Sequence, residues 1–120
     1  MLERGVSVAL GSDIAGGDQL AMYQVVTASI RASKVKRMET GAAFLTVPEA
    51  YWLGTTAGHR YFGAGDGFAA GDPLHAIVVD DSGLPEPVRE LSLPERFERA
   101  IYLMDKGHIA AVYSDGRRVR

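Results

Sequence analysis

A single β/α unit opens the chain and constrains its fold more than any other feature. Residues 6–10, Val-Ser-Val-Ala-Leu, are rich in β-branched side chains, which is typical of a short buried strand in a parallel sheet. A glycine-rich loop follows at residues 11–17, and apolar side chains then recur at helical spacing, so we predict an amphipathic helix over residues 18–33 with Asp18 as its N-cap. A complete (β/α)8 barrel needs about 250 residues, whereas this chain has 120. Any barrel is therefore only partly present in these residues.

Two later helices carry matching start signals. Thr46 and Glu49 have the spacing of a capping box with a proline between them, and Ser92 and Glu95 repeat that pattern. In this arrangement the hydroxyl residue caps the helix while the glutamate accepts from the N–H group of the cap. We predict that the first of these helices runs to about residue 57, where Gly58 ends it.

The remaining segments predict a connection and several short strands. Residues 34–37, Lys-Val-Lys-Arg, are expected to form an exposed connection after the first helix. The predicted strands cover residues 75–80, 109–114 and 117–119, with Asp115-Gly116 as a hairpin turn between the last two. A sheet of so few short strands has unpaired backbone edges, so we expect a segment outside this sequence to pair with them.

The composition excludes several classes of function. The chain has no cysteine, which rules out disulfides, cysteine-based zinc sites and thiol nucleophiles, and which fits the cytoplasm. Its net charge of -2 gives no electrostatic footprint for nucleic acid. The longest apolar runs are far shorter than the about 20 residues that span a bilayer. A soluble globular protein is therefore expected, with neither nucleic acid nor membrane as a partner.

Asp13 is the main candidate for chemistry. It directly follows the first predicted strand, and ligands and catalytic groups gather at the carboxyl ends of strands in parallel β/α folds. A carboxylate there is able to bind a divalent metal or to act as a general base. The alternative is local, because aspartate is common in turns, where it accepts hydrogen bonds from nearby N–H groups. The spacing leaves both interpretations open.

Two other kinds of site are only weakly indicated. His59, His75 and His108 are scattered, so surface or capping roles are favoured over metal ligation, since a catalytic zinc usually takes three protein ligands. Gly11 and Gly16 have the spacing of a phosphate-binding loop, but the lysine and hydroxyl residue that should follow are absent. A nucleotide-triphosphate site is therefore disfavoured.

The segments described so far resemble one family. Residues 8–17, Val-Ala-Leu-Gly-Ser-Asp-Ile-Ala-Gly-Gly, resemble the last barrel strand and its loop in the amidohydrolase superfamily, and specifically in the guanine deaminases. Residues 45–58 look like a late helix of that family, and residues 67–79 resemble its return to a sandwich domain. The segment Pro-Glu-Arg-Phe-Glu-Arg-Ala-Ile-Tyr-Leu at residues 94–103 is similar to a guanine deaminase helix. The resemblance covers essentially the whole chain.

This resemblance implies a zinc-dependent hydrolase that converts guanine to xanthine and ammonia. In the family, the aspartate that corresponds to Asp13 is a metal ligand and helps to move protons, so Asp13 is expected to be both catalytic and metal-binding. The family's His-x-His motif, two later histidines and its catalytic glutamate are absent here and are expected to precede Met1. His75 stands where the family commonly has an aspartate.

The resemblance also implies the fold and the partners. An α/β fold is expected, in which residues 1–66 are the end of a (β/α)8 barrel, its last strand and helices. Residues 67–120 would be part of a small β-sandwich domain with one helix. The expected partners are guanine and a second copy in a homodimer in the cytoplasm, and this chain by itself is expected to be inactive. The alternatives are another amidohydrolase acting on an aminated or chlorinated heterocycle, and a non-catalytic folded fragment.

Overall fold

The computed structural model describes residues 4–65 and 67–120. Residues 1–3 and Asp66 lie outside the described residues. The chain contains helices and strands, as expected for an α/β protein, and divides into two compact units, Met1–Asp66 and Gly67–Arg120. The assignment of these units to a barrel and a sandwich stays a prediction.

The first helix, α1 (Met22–Thr40), begins and ends later than the sequence pattern predicts. Its N-cap is Ala21, which makes no side-chain cap bond, so the assignment of Asp18 as the N-cap is wrong. Asp18 precedes Ala21 by three residues, too early to reach the first free N–H groups of the helix. Residues 34–37 are also not a connection, because nothing breaks the helix before Gly41, whose φ of 70° and N–H bond to the Arg37 carbonyl (2.8 Å) form its end.

Two short helices follow, α2 (Val47–Gly54) and α3 (Thr56–Tyr61). The capping box at the start of α2 is confirmed: Thr46 Oγ1 accepts from the Glu49 N–H at 3.5 Å, and Glu49 Oε2 accepts from the Thr46 N–H at 2.8 Å. The predicted stop at Gly58 is wrong, because Gly58 lies inside α3. The break comes earlier, at Thr55 (φ -133°, ψ -87°), whose hydroxyl donates to the Tyr51 carbonyl at 2.7 Å.

Residues 6–10 do not form the predicted strand. Val6 is 49% exposed, and the Leu10 N–H donates to the Leu53 carbonyl of α2 at 2.9 Å instead of to a neighbouring strand. A strand exists only through hydrogen bonds to another strand, and the described residues of this unit contain no second one. The prediction is therefore wrong for this structure, although the side-chain composition suited it.

The first unit is held together where α1 packs on α2. Val26 and Ile30 are almost fully buried on α1, and α2 contributes Ala50 and Leu53. The exposed face of α1 carries charged side chains. No helix in the described part of the chain combines the length and the apolar composition needed to cross a bilayer. The loop that contains Asp13 leads into α1, one of the two helices that form this core.

The second unit contains a three-stranded antiparallel sheet in the order β1 (Ala76–Val79), β2 (Ile109–Ser114), β3 (Arg117–Arg118). The predicted strands and the hairpin at residues 115–116 are confirmed, with slightly shorter first and last strands. Helix α4 (Leu93–Leu103) begins at the predicted capping box. The core of the second unit consists of four apolar residues: Leu84, Ile101, Met104 and Ala111.

Candidate functional site

The loop after residues 6–10 folds into a tight turn that we call the Asp13 turn, residues 12–17. The N–H groups of Gly16 and Gly17 both donate to the Asp13 carbonyl, at 2.8 and 2.5 Å. Asp13 and Ala15 have positive φ values of 48° and 78°. A positive φ is unfavourable for residues with a Cβ, less so for aspartate than for alanine. The two hydrogen bonds hold the Asp13 backbone in this conformation.

Both glycines of the turn occupy places without room for a side chain. A Cβ on Gly17 would lie 2.0 Å from the Ser12 carbonyl oxygen, and a Cβ on Gly16 would lie 2.6 Å from Asp13 Oδ2. The sequence indicates a tight loop from its glycines, but it does not indicate which atoms they approach. The positive φ of Ala15 was also missed, since alanine carries no signal for that conformation.

The chemistry of Asp13 fits one position of a zinc site. Its side chain is exposed, and a carboxylate oxygen is a normal zinc ligand. A catalytic zinc usually has three protein ligands, and residues 4–65 and 67–120 bring no three histidine, aspartate or glutamate side chains together that could hold a metal. The described part of the chain therefore offers one candidate ligand and not a complete site. The metal-binding and catalytic roles of Asp13 stay predictions.

The three histidines lie in separate local settings. His59 is in the last turn of α3, where a positive side chain complements the helix dipole. His75 Nδ1 accepts from the Asp115 N–H at 3.4 Å, next to the β2–β3 turn. His108 Nδ1 lies 3.0 Å from Asp105 Oδ1 in the 3-10 turn before β2. These contacts agree with the local roles that the sequence favours.

An open cavity of about 390 Å³ lies elsewhere in the first unit. The Arg60 guanidinium carbon lies 5.8 Å from the centre of the Trp52 ring at its wall. Its lining holds no carboxylate or imidazole, so it offers neither a general acid–base group nor a metal ligand of those types. The lining residues are Gly5, Val6, Ser7, Val8, Trp52, Ala57, Arg60 and Tyr61. The Asp13 turn is therefore the candidate site of this unit.

No protein-family profile matches the chain, but guanine deaminases are similar to it over its whole length. The guanine deaminase of Dictyostelium discoideum is 28% identical over 127 residues, which cover 100% of this chain and 28% of that protein. A crystal structure of the guanine deaminase from C. acetobutylicum, with guanine bound in its active site, matches 99% of this chain with a TM-score of 0.90 and 36% identity. The E. coli guanine deaminase matches 98% of it with a TM-score of 0.78 and 26% identity.

These comparisons confirm the resemblance seen in the sequence. They also show its extent, because the chain spans 28% of the length of each of these relatives.

Proposed function

We propose that this chain is a carboxyl-terminal part of a guanine deaminase, an enzyme that hydrolyses guanine to xanthine and ammonia. The observation that carries the proposal is the match of nearly the entire chain to a guanine deaminase structure at a TM-score of 0.90. The Asp13 turn lies within the matched part of the chain and holds a carboxylate residue in a constrained conformation, with a φ of 48°. The share of 28% supports the view that most of the enzyme lies outside these residues.

In this proposal Asp13 has two tasks. Its carboxylate would hold one position on a zinc ion, and it would accept a proton from the water that attacks the amino-bearing carbon of guanine. Zinc, when bound, lowers the pKa of a water ligand towards about 7. Loss of ammonia then requires a proton on the departing nitrogen, and the same carboxylate is able to return one. The turn supports both tasks because its two N–H bonds to the Asp13 carbonyl fix where the side chain starts.

The fold assignment belongs to the same proposal. Residues 1–66 would be the end of a (β/α)8 barrel, and residues 67–120 part of a β-sandwich. The second unit supports this assignment, because its sheet has three short strands, and such sheets are normally extended or covered at their edges. Guanine as the substrate, a homodimer and a cytoplasmic location are further parts of the proposal.

The test uses the full-length protein that carries this chain. Wild-type protein should turn over guanine and contain zinc, while Asp13→Ala should lose at least about 100-fold in kcat together with most of its zinc. Asp18→Ala is the matched control, because Asp18 is a nearby exposed aspartate outside the Asp13 turn, and its activity should stay near wild type. Full activity and full zinc content in Asp13→Ala would refute the role of Asp13.

Substrate identity needs its own comparison. If the wild-type protein fails to deaminate guanine but hydrolyses another aminated or chlorinated heterocycle, the alternative amidohydrolase is correct. The purified 120-residue chain should show no guanine turnover and should bind zinc weakly, since it offers one candidate ligand. Turnover by that chain at the rate of the full-length protein would contradict the proposal that most of the active site lies outside these residues.

A further inference from the structure

Gly16 has no room for a side chain, because the Asp13 carboxyl group occupies the space where its Cβ would lie. A Cβ built on Gly16 would lie 2.6 Å from Asp13 Oδ2, 3.1 Å from Cγ and 3.4 Å from Oδ1. All three atoms belong to the Asp13 carboxyl group, so the obstacle is that group and not the backbone. Real Cβ contacts below 3.0 Å essentially do not occur, and the group that gives way at the least cost is the end of a flexible, exposed side chain such as that of Asp13. Any other residue at position 16 therefore requires the carboxyl group to move.

We propose that Gly16 is a positioning residue for Asp13, whose missing side chain leaves the space that the carboxyl group occupies. The link between this space and zinc binding rests on the proposed function. The steric relationship itself concerns only the geometry of the turn. Because the Asp13 side chain starts from a backbone held by two hydrogen bonds, a displaced carboxylate has to change its rotamer. A metal ligand moved in this way loses the geometry that zinc requires.

Two neighbouring glycines make the inference specific. A Cβ on Gly11 would meet nothing within 4 Å, so Gly11→Ala tests the loss of a nearby glycine without the contact. A Cβ on Gly17 would meet the Ser12 carbonyl oxygen at 2.0 Å, so Gly17→Ala tests a conflict with the backbone. None of these three glycines has a φ in the left-handed region. Alanine at position 16 therefore displaces the Asp13 carboxyl group, and alanine at position 17 conflicts with the Ser12 backbone, while backbone preference opposes neither.

The first experiment measures zinc affinity in the full-length protein by competition with a chelator, and the visible spectrum of the Co²⁺-substituted protein. Gly16→Ala should weaken zinc binding about 10- to 100-fold, the range found when groups that orient a ligand are changed. The Co²⁺ spectrum should shift, and kcat should fall more than KM rises. Gly11→Ala should stay within about twofold of wild type in affinity, the size of a small surface effect. Unchanged affinity and spectrum in Gly16→Ala would overturn the inference.

The second experiment is a thermal-unfolding cycle on the metal-free protein, which does not depend on the reaction. Gly16→Ala should lower the unfolding midpoint slightly in the wild type and in Asp13→Asn, which keeps the shape of the side chain, because the end of a flexible side chain gives way at little cost. It should lower the midpoint much less in Asp13→Ala, where the obstructing group is gone. Gly17→Ala should lower the midpoint equally in all three backgrounds, because its obstacle is the Ser12 backbone.

The two experiments separate the inference from the proposed function. An equal effect of Gly16→Ala in all three backgrounds would overturn the positioning role even if the wild type deaminates guanine. A wild type that does not deaminate guanine would refute the proposed function, and the cycle would still decide the role of Gly16. If Gly16→Ala does not fold, recovery of folding in Gly16→Ala/Asp13→Ala supports the inference, and failure of both variants contradicts it.

Discussion

Gly54 lies against Val26 so closely that a Cβ on Gly54 would come within 2.8 Å of Val26 Cγ2. Val26 is 1% exposed, so this contact is at the centre of the packing between α1 and α2. The next nearest atoms, on Met22 and Leu10, lie at 3.7 and 3.9 Å. The absence of a side chain at the last residue of α2 thus sets how closely the two helices approach.

Gly54→Ala should therefore destabilise the protein. Overfilling a well-packed contact lowers the free energy of unfolding by about 1–3 kcal/mol, which exceeds the about 0.5–1 kcal/mol that alanine gains over glycine in a helix. Chemical denaturation measures the difference. Gly58→Ala in α3 is the control, since a Cβ there meets nothing within 4 Å, and it should leave stability unchanged or raise it. A Gly54→Ala variant as stable as Gly58→Ala would contradict this prediction, because α1 and α2 would then separate without a loss of stability.

Glu95 should make stability depend on pH in the acid range. Its pKa is lowered from 4.5 to about 2, first by the Arg89 guanidinium and then by the N–H and hydroxyl of Ser92. The folded state therefore stabilises the ionised form of the Glu95 carboxyl more than the unfolded chain does. The stabilisation is fully present above about pH 4.5 and is lost as the pH falls towards about 2. A ¹³C NMR titration of the Glu95 carboxyl should give a midpoint near that lower value.

Glu95→Gln should remove this part of the pH dependence of unfolding. The amide cannot ionise, so the difference in stability between neutral pH and pH near 2 should shrink relative to wild type. Glu98→Gln, on an exposed position of the same helix, should keep the dependence of the wild type. Equal slopes for the two variants would mean that the Arg89 and Ser92 contacts do not persist in solution.

The hairpin between β2 and β3 should be sensitive at Gly116. Asp115 and Gly116 have φ values of 51° and 73°, the two positive values of a type I′ turn. Gly116→Ala should lower the free energy of unfolding by about 1–2 kcal/mol, because alanine is strained in the left-handed region. Asp115→Asn should be nearly neutral, since asparagine tolerates a positive φ well. Similar denaturation midpoints for Gly116→Ala and wild type would contradict the assigned turn.

Interactions between residues close in sequence could be predicted well. The capping boxes at Thr46 and Ser92 and the hairpin at residues 115–116 each depend on a few neighbouring residues, and the structure confirms all of them. The glycines around Asp13 also predict a tight loop, and the structure has a tight turn there. The atoms that those glycines approach were not predictable, because they depend on the conformation of the whole turn.

The sequence by itself determined where α2, α4 and the hairpin begin, because capping and turn preferences act within a few residues of the chain. The end of α1 at Thr40 and the break at Thr55 depend on local contacts, with Gly41 and with the Tyr51 carbonyl, that the sequence pattern did not indicate. Only the tertiary structure decided that residues 6–10 are not a strand. A strand needs a hydrogen-bonding neighbour from elsewhere in the chain. This condition is set by distant residues, which local patterns do not report.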